Sequence, residues 1–229
     1  MTADQEVLGF RLENMIFACN CMLIVAGRGL RKCVIRFADM SNEQIMDYPS
    51  CAVLGDSFVE RLRRHVGRNW SVAGRRVELY GYPGKNVAFL QAQLERMPRH
   101  VFAFNYVALS VGSNDVCDAS LSPECIVEGL MDLSRTLLTK FGVTRVIVCL
   151  ILHRSNWTHH MRGLTLVEYN ALVNRLLQRH LRKNGHITFW KHQGCIGPNH
   201  LGDDGVHLNE KGLRMCRRSL YTALTYNLY

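Results

Sequence analysis

From Cys51 onward, short apolar runs alternate with stretches whose apolar residues recur every three or four positions. The runs are 51–54 (CAVL), 76–80 (RVELY), 106–111 (YVALSV), 144–152 (TRVIVCLIL) and 186–190 (HITFW). Each reads as a strand, and the unbroken run 144–152 reads as one covered on both faces. The intervening stretches predict helices. Phe58, Leu62 and Val66 mark one over about 58–66. Val87, Leu90, Leu94 and Met97 mark a second, stopped by Pro98. Ile126, Leu130, Leu133, Leu137 and Phe141 form the stripe of a third. It starts at Ser122-Pro123-Glu124, with a cap, a first-turn proline and an acid against the helix dipole, and Gly142 ends it. A fourth spans roughly 164–184, with Leu172, Leu176, Val173 and Leu177 inward and Gly185 closing it. A fifth covers about 209–224, with Leu213, Cys216, Leu220 and Leu224 on one side.

Five strands alternating with helices imply an α/β fold with a parallel sheet and helices on both faces. In such sheets the working crevice lies beyond the C-terminal ends of the strands. Ser57, Gly84 and Asn114 each follow a predicted strand and so should converge on one edge. Residues 1–47 carry no comparable plan and end in the polar stretch Ser41-Asn42-Glu43-Gln44. Tyr48-Pro49-Ser50 marks a boundary between this N-terminal extension and a domain over 48–229.

The composition fits a packed domain: 229 residues, 48% hydrophobic and 21% charged. The formal charge of +9 suits either a solvated basic surface or an anionic partner such as RNA. Nine cysteines, several in apolar runs (Cys19, Cys21, Cys51, Cys149), follow no zinc-type spacing and read as buried thiols of a reducing, intracellular and cytoplasmic setting. The ten histidines make no metal-binding pattern. The apolar stretch from Met15 to Gly27 is too short for a spanning helix and lacks a positive leader, so neither a transmembrane segment nor a signal peptide is expected.

The chemistry concentrates in Gly55-Asp56-Ser57-Phe58, directly after the first run. A serine between a strand end and a helix start has an exposed hydroxyl among free backbone N–H groups. The alternative is a helix-capping serine. A serine hydroxyl needs a base within reach, and His207 is the candidate. Asp204, three residues earlier, can lie beside the imidazole within one turn, whereas Asp203 is out of step and reads as a loop residue. An oxyanion would find donors in the backbone N–H of Ser57, the backbone N–H of Gly84 and the side-chain amide of Asn114. Asp56 and Asp115 read as loop ties through backbone hydrogen bonds, and Arg61, Arg63, Arg64 and Arg68 as a solvated helix face or an RNA contact. Trp157, His159 and His160 fall in a loop that could line a pocket.

In these blocks the chain resembles the SGNH, or GDSL-type, hydrolases. Gly55-Asp56-Ser57, Gly84, Gly112-Ser113-Asn114-Asp115 and Asp204-x-x-His207 follow the order of that family across about residues 50–212. The first block reads GDSF rather than GDSL, and the second is loose enough that Gly81 is an alternative to Gly84. The resemblance implies a three-layer α/β/α flavodoxin-like fold with a five-stranded parallel sheet. It also implies serine-esterase activity without metal or cofactor, on a small ester or acyl lipid with a short acyl group, acetyl above all. More narrowly, GDSFVERLRRH, Phe189-Trp190-Lys191-His192 and DGVHLNEKGLRMCRRSL are similar to the esterase domains of animal LINE-type retrotransposon first open reading frame proteins. That likeness implies, as the alternative, a module for RNA binding or ribonucleoprotein assembly with weak or no hydrolysis.

Overall fold

Five of the apolar runs become neighbours in one sheet of a computed structural model, which describes residues 51–152, 154, 163–182, 184–192 and 197–228. The extension 1–47 and its cysteines lie outside the described residues. The strands are β1 (Cys51–Gly55), β2 (Ser71–Val72), β3 (Arg75–Gly81), β4 (Tyr106–Ser110), β5 (Arg145–Cys149) and β6 (Ile187–Trp190). The helices are α1 (Ser57–Val66), α2 (Val87–Arg96), α3 (Pro123–Phe141), α4 (Leu166–Leu181) and α5 (Glu210–Leu228). The sheet order is β2-β3-β1-β4-β5-β6, and every pairing is parallel except β2 with β3.

Alternation along the strands explains the layers. In β1, Ala52 and Leu54 face a core built with α2, α3 and α4, while Cys51 and Val53 face a second core with α1 and α5. Strands β4 and β5 repeat the division: Val107, Leu109, Val146 and Val148 lie on one side, Ala108, Ile147 and Cys149 on the other. With both faces covered, no residue of the central strands can be polar without a partner, which is why they read as apolar runs. The three-layer α/β/α fold with five parallel strands is as expected.

The differences are local. The fourth run, 144–152, forms a shorter strand than predicted, because the chain leaves the sheet after Cys149. Its next residues are held instead by α4: Asn174 Oδ1 accepts from Ile151 N at 2.9 Å, and Asn170 and Asn174 both donate to the Ile151 carbonyl. In α4 the fully buried stripe is Leu166, Tyr169, Val173, Leu177 and Leu181, while Leu172 and Leu176 are only half-buried. The helix begins at Thr165, in a reciprocal cap with Glu168, and ends at Arg182 rather than at Gly185. The short antiparallel strand β2 was not expected; it turns into β3 through Ala73-Gly74, both at positive φ. Helix α5 runs to Leu228, and Asn209 caps its start by accepting from Gly212 N at 2.9 Å.

Leu130 of α3 is fully buried in the larger core. Leu130→Ala should lower the unfolding free energy by about 2–5 kcal/mol, through lost burial and a residual cavity. Urea denaturation checks it, and a loss below about 1 kcal/mol would mean that the site collapses freely.

Candidate active site

At the end of β1 the chain passes straight from the middle of the sheet into α1. Gly55 is needed at the crossing, because a Cβ there would run into the Ser110 carbonyl and the Val59 side chain. Asp56 then caps α1: its Oδ1 accepts from Phe58 N at 3.0 Å. Ser57 is therefore the first residue of the helix and not its cap, which removes the capping role considered for its hydroxyl. Its own N–H belongs to the first turn, whose amides have no intrahelical acceptor.

The second carboxylate oxygen of Asp56 accepts from Ser113 Oγ at 2.6 Å, tying the loop after β1 to the loop after β4. Burial raises the Asp56 pKa, while its hydrogen bonds from Ser113 and Phe58 and the nearby charges of Arg154 and His207 pull it back. Asp115 makes the matching tie to α2, receiving Val87 N at 3.1 and 3.2 Å. Both aspartates act as loop ties, as their sequence context suggested.

Between them sits Asn114. Its Nδ2 donates to the Lys85 carbonyl at 2.7 Å, and its Oδ1 accepts from Arg154 Nη2 at 2.6 Å. Lys85 follows Gly84, so this bond links the third sequence block to the second. The turn Tyr82-Pro83-Gly84-Lys85 is closed by Lys85 N on the Tyr82 carbonyl at 3.1 Å. Gly84 has φ +72° and open space around it, whereas Gly81 ends β3 against the backbone of Glu60, where a Cβ would not fit. Gly81 is thus occupied by helix packing, and Gly84 is the exposed one of the pair.

The fourth block is an ordered loop. Asp204 Oδ1 accepts from Val206 N and His207 N, and its Oδ2 meets His207 Nδ1 at 2.7 Å. These three contacts, led by the bond from the His207 backbone, hold the Asp204 pKa well below the usual carboxylate range. The imidazole packs beside the Phe58 ring, centroids 6.3 Å apart. Phenylalanine in the GDSF block thus forms a wall for the histidine as well as filling the core under α1. Arg61, one turn along α1, approaches Asp204 Oδ2 at 3.9 Å.

Sequence reasoning missed Arg154, which reaches Asn114 and Ser113 from the chain beyond β5. Its only signal is a cation placed soon after an apolar run. The basic face of α1 is partly neutralised: Glu60 pairs with Arg63 and Arg64 at 2.8 and 2.9 Å. Trp157, His159 and His160 lie outside the described residues. Among the described residues no cluster of three or more His, Cys, Asp or Glu could hold a metal ion, and no helix is long and apolar enough to cross a membrane. Of the described cysteines, Cys51, Cys149 and Cys216 are buried thiols, whereas Cys125 is exposed.

The model of the GDSL-like lipase/acylhydrolase family matches residues 52–215. No curated protein matches the sequence closely enough to count as a relative. Among solved structures, the chain is similar to a GDSL-like lipase from Bacteroides thetaiotaomicron at 14% identity, covering 77% of this chain and 88% of that one with a TM-score of 0.63. It is similar to an aryl esterase from M. smegmatis at 15% identity, with coverage of 77% and 98% and a TM-score of 0.57. A carbohydrate acetylesterase from Sinorhizobium meliloti, Est24, gives 16% identity, coverage of 79% and 100%, and a TM-score of 0.55. At these identities the likeness speaks for the fold.

Burial pushes the Asp115 pKa from 3.8 up to about 6, outweighing the hydrogen bonds from Val87. The folded carboxyl therefore holds its proton where the unfolded one has lost it. The favourable contribution is complete below the unfolded value and is lost as pH rises through the folded one. The unfolding free energy of wild type relative to Asp115→Asn should fall by on the order of 2–3 kcal/mol between about pH 4 and pH 6, then level off. Urea titrations at several pH values measure this, and a difference that rises over that window would contradict it.

Proposed function

We propose, since the chain belongs to the GDSL-like lipase/acylhydrolase family, that it hydrolyses carboxylic esters with Ser57 as nucleophile, His207 as general base and acid, and Asp204 as the residue that orients His207. The observation that carries this reading is the Asp204–His207 pair at 2.7 Å, set beside Phe58 at the start of a helix whose cap is Asp56.

In the proposed reaction Ser57 Oγ attacks the ester carbonyl carbon while its proton passes to His207. The carbonyl π pair moves onto oxygen, and the oxyanion is held by the N–H groups of Ser57 and Gly84 and by the Asn114 amide. Collapse restores the carbonyl and breaks the bond to the alcohol oxygen, which takes the proton from His207. Water then adds to the acyl-serine with His207 again accepting the proton, and the acid leaves with Ser57 regenerated. Asp204 keeps the imidazole tautomer with Nδ1–H toward the carboxylate, so the other ring nitrogen accepts.

We assign the preferred substrate as a short acyl ester, acetyl above all. The name of the similar acetylesterase from Sinorhizobium meliloti agrees with that choice. A second reading, with the narrower likeness to retrotransposon esterase domains, makes the chain an RNA-binding or assembly module. The exposed arginines of α1 motivate it, and Glu60 holding two of them weighs against it.

The test is turnover of p-nitrophenyl acetate. Ser57→Ala and His207→Ala should lose at least about 10³-fold in kcat, and Asp204→Asn about 10²–10⁴-fold. The wild-type rate should fall on acidification, because a protonated His207 cannot accept the serine proton. Equal rates in wild type and Ser57→Ala would sink the assignment. Salt-sensitive RNA binding without that turnover would favour the second reading.

A further inference from the structure

Arg154 is unusual for an arginine at a loop edge. It makes no ion pair with a carboxylate among the described residues. Its Nη2 instead donates to two neutral oxygens, Asn114 Oδ1 at 2.6 Å and Ser113 Oγ at 3.1 Å, and the guanidinium also interacts with the Cys117 thiol. Its Nε is buried with no hydrogen-bond partner. Burying a donor without an acceptor is costly, and such groups concentrate where function offsets the cost. The position is not accidental either, since Asn170 and Asn174 of α4 grip the backbone of Ile151 just upstream.

The chemistry of the partners fixes the orientation of Asn114 without ambiguity. A guanidinium can only donate and a backbone carbonyl can only accept, so the atom facing Arg154 is Oδ1 and the atom facing Lys85 is Nδ2. One Nδ2 hydrogen goes to Lys85, which leaves one for a substrate. A cation on Oδ1 also draws electron density from the amide and makes the remaining N–H a better donor. Through Ser113, the same cation faces the buried carboxylate of Asp56, whose negative charge beside Ser57 would otherwise oppose a developing oxyanion.

We infer that Arg154 is a positioning residue for ester hydrolysis, holding Asn114 by Oδ1 so that its free N–H is aimed at the oxyanion and strengthened as a donor. The inference rests on the esterase reading above, with Asn114 in the oxyanion hole. Arg154 acts through Asn114 and need not touch the substrate.

The experiment is a double-mutant cycle with p-nitrophenyl acetate: wild type, Arg154→Met, Asn114→Ala and the double variant, with Ser57→Ala as the blank. Arg154→Met should lower kcat about 10- to 100-fold with KM changed no more than about twofold, as expected for a loss confined to the transition state. On the Asn114→Ala background the same change should lower kcat no more than about twofold. Arg154→Lys, which keeps the charge, should fall between wild type and Arg154→Met. If Arg154→Met does not fold, as judged by circular dichroism, the cycle is run with Arg154→Lys. A wild-type kcat in the Arg154 variant, a loss confined to KM, or equal fold-losses in both backgrounds would overturn the inference. So would Asn114→Ala at the wild-type rate, which leaves Ser57 untouched as nucleophile. Absence of any Ser57-dependent turnover in wild type would instead bring down the esterase reading itself.

Discussion

The candidate site depends on the carboxylate of Asp56, buried between the first strand and the first helix. One oxygen caps α1 and the other receives the Ser113 hydroxyl from the loop after β4. A buried carboxylate is costly, and burial does raise its pKa. Satisfied by two donors and approached by Arg154, it becomes a rigid joint. Because Asp56 supplies the cap, the serine beside it has no capping duty at the helix terminus.

The same device recurs along the sheet edge. Asp115 receives the first amide of α2, and Asn114 bridges to Lys85 in the turn that contains Gly84. β1 lies between β3 and β4, so the loops after these three strands are neighbours by topology. Side-chain ties then convert neighbouring loops into one unit. The Asp204–His207 loop comes from outside the sheet, just before α5, and closes on α1 through the Phe58 ring and Arg61. Preorganisation of this kind places donors before charge develops, which is where enzymes gain most of their electrostatic stabilisation.

Much of this was legible in the sequence, and the rest was hidden for physical reasons. The strands showed themselves because β1, β4 and β5 are covered on both faces and tolerate few polar residues. The Ser122 cap and the left-handed Gly142 followed local rules that need no tertiary context. The end of β5 was misread because Ile151 and Leu152 stay buried after leaving the sheet, so hydrophobicity alone cannot mark the exit. Strand β2 is two residues long, too short for periodicity to register. The Thr165–Glu168 cap is a local signal, a threonine with a glutamate three residues on. The residues of the site were each visible as one part of a block. Their mutual ties were not, since bonds such as Ser113 to Asp56 or Arg154 to Asn114 join positions far apart in sequence. Gly81 stood as the alternative to Gly84 in the sequence, and only the tertiary structure shows that it is packed against the helix.

The central claim is that Ser57 is a nucleophile activated by His207. It is tested most directly by treating the protein with a fluorophosphonate and identifying the modified residue by peptide mass spectrometry. The account predicts a single adduct, on Ser57, that forms at neutral pH in wild type and is lost in His207→Ala. An adduct on another residue, or equal labelling of Ser57 with and without His207, would contradict it.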